Sequence, residues 1–220
     1  MKKKHALVLG ATGATGQELV KSLLQDSIFE KVTIFVRRKV DLKHEKLNVH
    51  VIDFTNLDNY RKLVRGDVLF SALGTTLADA GSKENQYLVD FSYQFDFAKI
   101  AADNEVGTLS LVSSLGANDN SIFFYTKIKG KLEQAVKQLN FKNIQIFQPP
   151  SLIRQPELMR SGEKIGVRFF KTICSFGIFS TFKPISVNDL AFKMIEESKL
   201  VKNNRITIYD PKMIMKLKDK

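Results

Sequence analysis

The chain has 220 residues, 44% hydrophobic and 26% charged, with a formal net charge of +11. That composition supplies a sizeable core and excludes global disorder. The single cysteine, Cys174, excludes an internal disulfide or a cysteine-rich zinc site and reads as a small hydrophobe in an intracellular chain.

The basic start Met1-Lys2-Lys3-Lys4-His5 is followed only by Ala6-Leu7-Val8-Leu9 before Gly10, too short for the apolar segment of a signal peptide. No stretch approaches the roughly 18 apolar residues of a membrane span. A cytoplasmic location is therefore expected. The lysines are dispersed, with no long basic run or interleaved aromatics, so the charge reads as solvated surface and not as a nucleic-acid interface. Some of it is available to an anionic cofactor.

In chain order, an apolar strand from His5 to Gly10 precedes a helix from Ala14 to Gln25, with Leu19, Val20, Leu23 and Leu24 on one face. Strands follow at Lys31–Val36 and at Leu47–Ile52, the latter ending on Asp53. A short helix is expected over Thr55–Val64, a strand over Asp67–Leu73, and one long helix over Glu84–Asn104 with Leu88, Phe91, Phe95 and Ala98 as its apolar stripe. A strand at Thr108–Ser113, a helix over Tyr125–Leu139 and a strand at Asn143–Phe147 complete the alternation, which Gln148-Pro149-Pro150 closes.

Apolar strands alternating with amphipathic helices predict an α/β fold of Rossmann type: a doubly wound parallel sheet with helices on both faces. Beyond Pro150 the rhythm loosens. A short helix over Arg168–Ser175, a better one over Val187–Ser198, a last strand at Ile206–Tyr209 and a frayed basic tail from Lys212 are expected. This part is too small for a domain of its own, so the chain reads as a single domain. The C-terminal part, and residues 151–184 above all, reads as a cap over the carboxyl ends of the strands, where ligands bind in open α/β sheets.

The segment Gly10-Ala11-Thr12-Gly13-Ala14-Thr15-Gly16 closes the first strand and opens the first helix. Glycines in that context let the backbone turn tightly and approach a pyrophosphate, which the helix N-terminus then holds through its N–H groups and dipole. A turn using glycine for geometry alone is the plainer alternative. Gln17 after Gly16 excludes a Walker-type phosphate loop, which needs lysine there.

An NAD site carries an acid about 20 positions on, at the end of the second strand, to hold the ribose 2′-hydroxyl. Here Arg37-Arg38-Lys39 stands there instead. Two arginines can clamp a 2′-phosphate, which favours NADP(H) over NAD. Asp53 and Phe54 at the end of the third strand, and Leu73-Gly74-Thr75 at the end of the fourth, are candidate adenosine contacts. For Asp53 a turn role serves equally well.

The fifth strand ends in Ser113-Ser114, and Tyr125 and Lys129 open the next helix on one face. A lysine cation next to a tyrosine stabilises the phenolate and fits it for proton transfer near neutral pH. A serine hydroxyl can orient a carbonyl. Ser113 and Ser114 both fit that place. The three histidines lack metal-ligand spacing, and no metal site is expected.

These motifs resemble the short-chain dehydrogenase/reductase superfamily in its atypical branch, and within it the HIV Tat-interacting protein 2 (oxidoreductase-type) group and its bacterial relatives. The resemblance runs from about Leu7 to Leu200. It rests on the glycine turn and on Val32-Thr33-Ile34-Phe35-Val36-Arg37-Arg38, Leu73-Gly74-Thr75-Thr76, Ser113-Ser114-Leu115-Gly116-Ala117, Tyr125 through Glu133, and Gln148-Pro149-Pro150. It implies NADP(H) at Gly10, Thr12, Gly13, Ala14, Thr15, Gly16, Arg37 and Arg38, and a Ser114/Tyr125/Lys129 active site, since superfamily spacing favours Ser114. Gln148 stands where the group often has arginine.

The expected function is an NADP-dependent oxidoreductase acting on a small carbonyl or alcohol. The alternatives are a cofactor-binding regulatory or scaffold protein, with a protein partner, and an isomerase or epimerase that recycles its cofactor.

Overall fold

Ala6, Leu7, Val8 and Leu9 are apolar on both faces, as only a strand covered from both sides can be. The computed structural model, which describes residues 2–153, 183–201 and 203–216, puts them at the sheet's centre, with all four side chains inaccessible to solvent. Strands β1 (Lys4–Leu9), β2 (Phe29–Val36), β3 (Leu47–Val51), β4 (Val68–Ser71), β5 (Thr108–Val112), β6 (Asn143–Phe147) and β9 (Ile206–Tyr209) form one sheet in the order β3-β2-β1-β4-β5-β6-β9. Every pairing in it is parallel. The order reverses between β1 and β4, the switch point where such sheets open a ligand crevice.

Successive β1 side chains serve opposite cores. Ala6 and Val8 pack with Leu19 and Leu23 of α1 (Ala14–Gln25) and with Leu190 and Met194 of α6 (Val187–Lys199). Leu7 and Leu9 pack with Phe97 and Ile100 of α4 (Tyr93–Asp103) and Leu132 and Val136 of α5 (Phe124–Lys137). Register places Leu9 beside Phe35 and Ser71, Ser71 beside Leu111, and Leu111 beside Ile146. The loops after β1, β2, β4, β5 and β6 therefore leave from one edge of the sheet.

Three expectations are corrected. The Thr55–Val64 segment forms a 3₁₀ helix over Leu57–Leu63. The expected helix over Glu84–Asn104 is present, running from Lys83 to Asp103, but it is not regular throughout. Helix α2 (Leu77–Ala80), capped by Thr76, ends at Gly81, and α3 (Lys83–Tyr87), capped by Ser82, runs through a π-helical turn over Leu88–Ser92 into α4. Of the expected stripe, Ala98 is buried and Phe91 and Phe95 pack partly buried against the core, whereas Leu88 is 42% exposed; Gln86, Asp90, Gln94 and Phe97 are buried as well. The extra residue of a π turn changes the helical phase.

The C-terminal part is the third correction. Helix α6 packs on α1, and β9 extends the main sheet, so neither caps the carboxyl edge. Lys199 fastens α6 to the end of α1 through Asp26 Oδ2, at 2.5 Å. The expected frayed tail begins as α7 (Pro211–Met215), capped by Asp210 and anchored by buried Ile214. Two short parallel strands, β7 (Leu152–Ile153) and β8 (Ile185–Ser186), pair with each other. The Arg168–Ser175 helix, Cys174 and most of the 151–184 cap segment lie outside the described residues.

Candidate cofactor and active site

The turn after β1 is shaped for close backbone contact. Gly10 has φ +85°, a conformation that L side chains rarely adopt. A Cβ on it would lie 2.6 Å from the Ala72 carbonyl carbon and the Leu73 nitrogen, so the β1 and β4 exits touch there. A Cβ on Gly16 would sit on the Gly10 carbonyl oxygen. Gly13 Nα donates to that oxygen at 3.0 Å and is the N-cap of α1, which has no side-chain cap. Thr12 is exposed, Thr15 is buried, and Ala14 begins the helix.

Arg37 and Arg38 follow β2 on the same edge. Both are exposed, and neither has a hydrogen bond or ion pair among the described residues. Asp53 also lies at this edge, but its carboxylate is engaged locally. Oδ1 accepts from Thr55 Nα at 2.9 Å and Thr55 Oγ1 at 2.7 Å, and Oδ2 accepts from Asn56 Nδ2 at 2.8 Å. These bonds hold the exposed carboxyl below its ordinary value. This is the turn role the sequence allowed for. The Phe54 side chain is buried against Tyr93, with ring centroids 5.5 Å apart, so only its backbone faces the edge.

The β5, α5 and β6 segments bring the candidate reacting groups together. Tyr125 is 40% exposed on the first turn of α5. Lys129, one turn on, is 3% exposed, and its Nζ lies 5.9 Å from the Tyr125 ring centroid. The two serines part company. The Ser113 hydroxyl is buried and donates to Glu133 Oε1, which also accepts from Gln148 Nε2 at 2.9 Å. Ser114 is half-buried, and among the described residues its hydroxyl bonds only the neighbouring Leu115 carbonyl, at 3.2 Å.

Two acidic groups near Lys129 went unread in the sequence. Asp90, wholly buried, places Oδ1 2.8 Å from Lys129 Nζ, and its Oδ2 accepts from Thr75 Nα at 3.1 Å. Glu133 lies one further turn along α5. Burial by itself would depress the Lys129 ammonium; Asp90, then Tyr125 and Glu133, outweigh it and hold the ammonium above its ordinary value. The signal available for Asp90 was an acid inside the otherwise apolar run Tyr87-Leu88-Val89-Asp90-Phe91. Gly74 sits directly over the pair: a Cβ there would be 3.3 Å from Asp90 Oδ1 and 3.7 Å from Lys129 Nζ.

A parallel sheet with a glycine turn at its switch point defines a nucleotide-binding domain of Rossmann type. The model of the NAD(P)H-binding family matches residues 10–157, and the chain belongs to that family. Within it, the chain is 36% identical over 177 residues to Protein HTATIP2 of Rattus norvegicus, covering 79% of this chain and 73% of the relative. It is 37% identical over 153 residues to "Protein FMP52, mitochondrial" of Debaryomyces hansenii, covering 67% and 66%. These matches agree with the group the sequence motifs resemble.

Among solved structures, a UDP-N-acetylglucosamine 4-epimerase from Methanobrevibacter ruminantium M1 superposes with TM-score 0.70 at 18% identity, covering 96% of this chain and 77% of that one. The Bordetella bronchiseptica enzyme WbmH in complex with NAD⁺ gives TM-score 0.71 at 17% identity, covering 94% and 75%. At these identities the likeness is one of fold. No helix among the described residues is long and apolar enough to cross a membrane.

Proposed function

We propose that the chain is a cytoplasmic, NADP(H)-dependent oxidoreductase that interconverts a small carbonyl compound and its alcohol. The observation that carries this reading is the Tyr125–Lys129 pair, a buried ammonium 5.9 Å from a half-exposed phenol ring, at the carboxyl edge of a sheet whose glycine turn belongs to an NAD(P)H-binding family. The residues fit the cofactor. Gly10 and Gly16 let the β1 exit, the β4 exit and the start of α1 close up into a tight turn that no side chain would permit, and Arg37 and Arg38, unbonded among the described residues, offer two guanidinium groups for a 2′-phosphate. The bound dinucleotide supplies hydride chemistry.

The chain's own groups supply the rest. Ser114 donates a hydrogen bond that orients the substrate oxygen, because its hydroxyl is held only by a long local bond to the Leu115 carbonyl while that of Ser113 is taken by the buried Glu133. Tyr125 delivers a proton to that oxygen in the reducing direction and removes one in the oxidising direction. Lys129 favours the phenolate form and offers its ammonium to the ribose hydroxyls.

The test is Tyr125→Phe assayed against a panel of aldehydes and ketones by loss of NADPH absorbance. The variant should bind NADPH as the parent does and lose at least about 100-fold in turnover. Turnover within a few-fold of the parent refutes the assignment.

A further inference from the structure

Asp90 is a buried carboxylate that the proposed reaction leaves unused, and an unusual amount of structure is spent on placing it. It sits at the centre of the π-helical turn over Leu88–Ser92, in the one stretch of α3–α4 where the regular ladder is interrupted. Gln94 secures the turn: its Nε2 donates to the carbonyl oxygens of Asp90 at 3.0 Å and Val89 at 3.4 Å, while its Oε1 accepts from Ser71 Oγ at 2.9 Å. The β4 exit is thereby tied to the turn twice, through Ser71–Gln94 and through Thr75 Nα on Asp90 Oδ2. Asp90 Oδ1 is held by the Lys129 ammonium at 2.8 Å, its one partner among the described residues.

From this arrangement we infer that Asp90 is a positioning residue that serves as the counter-ion of Lys129 and limits the positive field Lys129 exerts on Tyr125. The inference rests on reading Tyr125 and Lys129 as the reacting pair. A cation in a dry site acts on a neighbouring phenol at nearly full strength unless an anion is closer to it. Here the anion is in contact with the ammonium, and the phenol ring is 5.9 Å away. Among the described residues, the other groups facing Lys129 are Glu133 on its own helix, bonded to Ser113 and Gln148, and the uncharged Gly74-Thr75 segment of the β4 exit. Asp90 thus balances the ammonium and fixes how far the lysine can reach toward the β4 exit loop.

The experiment titrates Tyr125 by its tyrosinate absorbance, isolated by subtracting the curve of the same protein carrying Tyr125→Phe. Asp90→Asn keeps shape and removes charge. It should lower the Tyr125 midpoint by about one pH unit or more. An unchanged or raised midpoint overturns the proposal.

Should that variant not fold, the double variant Asp90→Asn/Lys129→Met, which leaves no unpaired charge, decides the matter. With both charges gone, the midpoint should stay within about half a unit of the parent. A rise of a unit or more shows that Asp90 was not offsetting the lysine. Neither readout needs a substrate, so retained turnover in Tyr125→Phe would refute the reaction and leave the Asp90 result standing on its own.

Discussion

Lys129→Met is the sharpest perturbation of this molecule. Lys129 and Asp90 are 3% and 0% exposed, and their charged atoms are 2.8 Å apart. Methionine fills much of the lysine stem volume but leaves Asp90 Oδ1 without any partner, while Oδ2 keeps only the Thr75 N–H. Removing one member of a buried pair strands the other charge, which costs about 3–5 kcal/mol. In a chain of this size each kcal/mol shifts the melting temperature by about 2–4 °C, so a fall of about 6–20 °C is expected at pH 8.

The loss should shrink on acidification. Protonation removes the stranded charge that makes the variant unstable. The penalty is therefore smaller at pH 5 than at pH 8. Asp90→Asn added to Lys129→Met should restore at least half of the loss. The assay is thermal melting by circular dichroism at both pH values. A fall below about 3 °C at pH 8, or a double variant no better than the single one, would mean that water reaches the pair, and would refute the argument from burial.

Other consequences are open to simpler measurements. Gly16→Ala forces a Cβ onto the Gly10 carbonyl; overpacking of this kind costs about 1–3 kcal/mol, and NADPH binding by calorimetry should fall at least tenfold. Unaltered binding would show that the turn is not the phosphate site. Arg37→Ala and Arg38→Ala should each weaken NADPH by about 10- to 100-fold, as loss of a charge-assisted hydrogen bond does, and leave NADH nearly unaffected. Equal weakening of the two cofactors would remove the 2′-phosphate assignment.

His5 gives a pH effect. Burial, then the nearby Lys31, depress its imidazole to about 4 from 6.5, against the pull of Asp67. The folded state therefore holds this histidine neutral where the unfolded chain would protonate it. Its contribution is complete above pH 6.5 and is lost as pH falls toward 4. Because the ring is half exposed, solvent screening reduces the effect to about 1–2 kcal/mol. Urea melts of His5→Gln should lack that part of the acid slope, and an identical slope would assign it elsewhere.

Sequence periodicity located the strands well because the central strands β1 and β4 are almost wholly apolar and β2, β5 and β6 carry short β-branched and aromatic runs that are buried. The glycine turn was legible because its geometry tolerates no side chain at Gly10 or Gly16. Helical spacing put Tyr125 and Lys129 on one face, and their place after Ser113-Ser114, which close a strand in a chain with a glycine turn, singled them out. The Leu88–Ser92 turn was not: Leu88, Phe91 and Phe95 suit an uninterrupted helix, and only tertiary partners such as Ser71 and Lys129 reward its interruption at Asp90. The residues alone left Ser113 and Ser114 both open and only the spacing of the resembled superfamily favoured Ser114, because the partner that engages Ser113, Glu133, lies 20 residues away in sequence.

The buried charges also bear on whether the site works or merely binds. A buried ion pair adds little to stability compared with well-packed apolar side chains of the same volume, and breaking it is costly. A fold that needed only to hold a dinucleotide could use the Lys129 ammonium on the ribose, but would have no use for a phenol set beside that ammonium. Here the ammonium is kept charged by Asp90, and its helix presents a half-exposed phenol one turn earlier. Fold stability does not account for that expenditure, whereas proton transfer at Tyr125 does. That asymmetry supports the catalytic reading over a purely regulatory one.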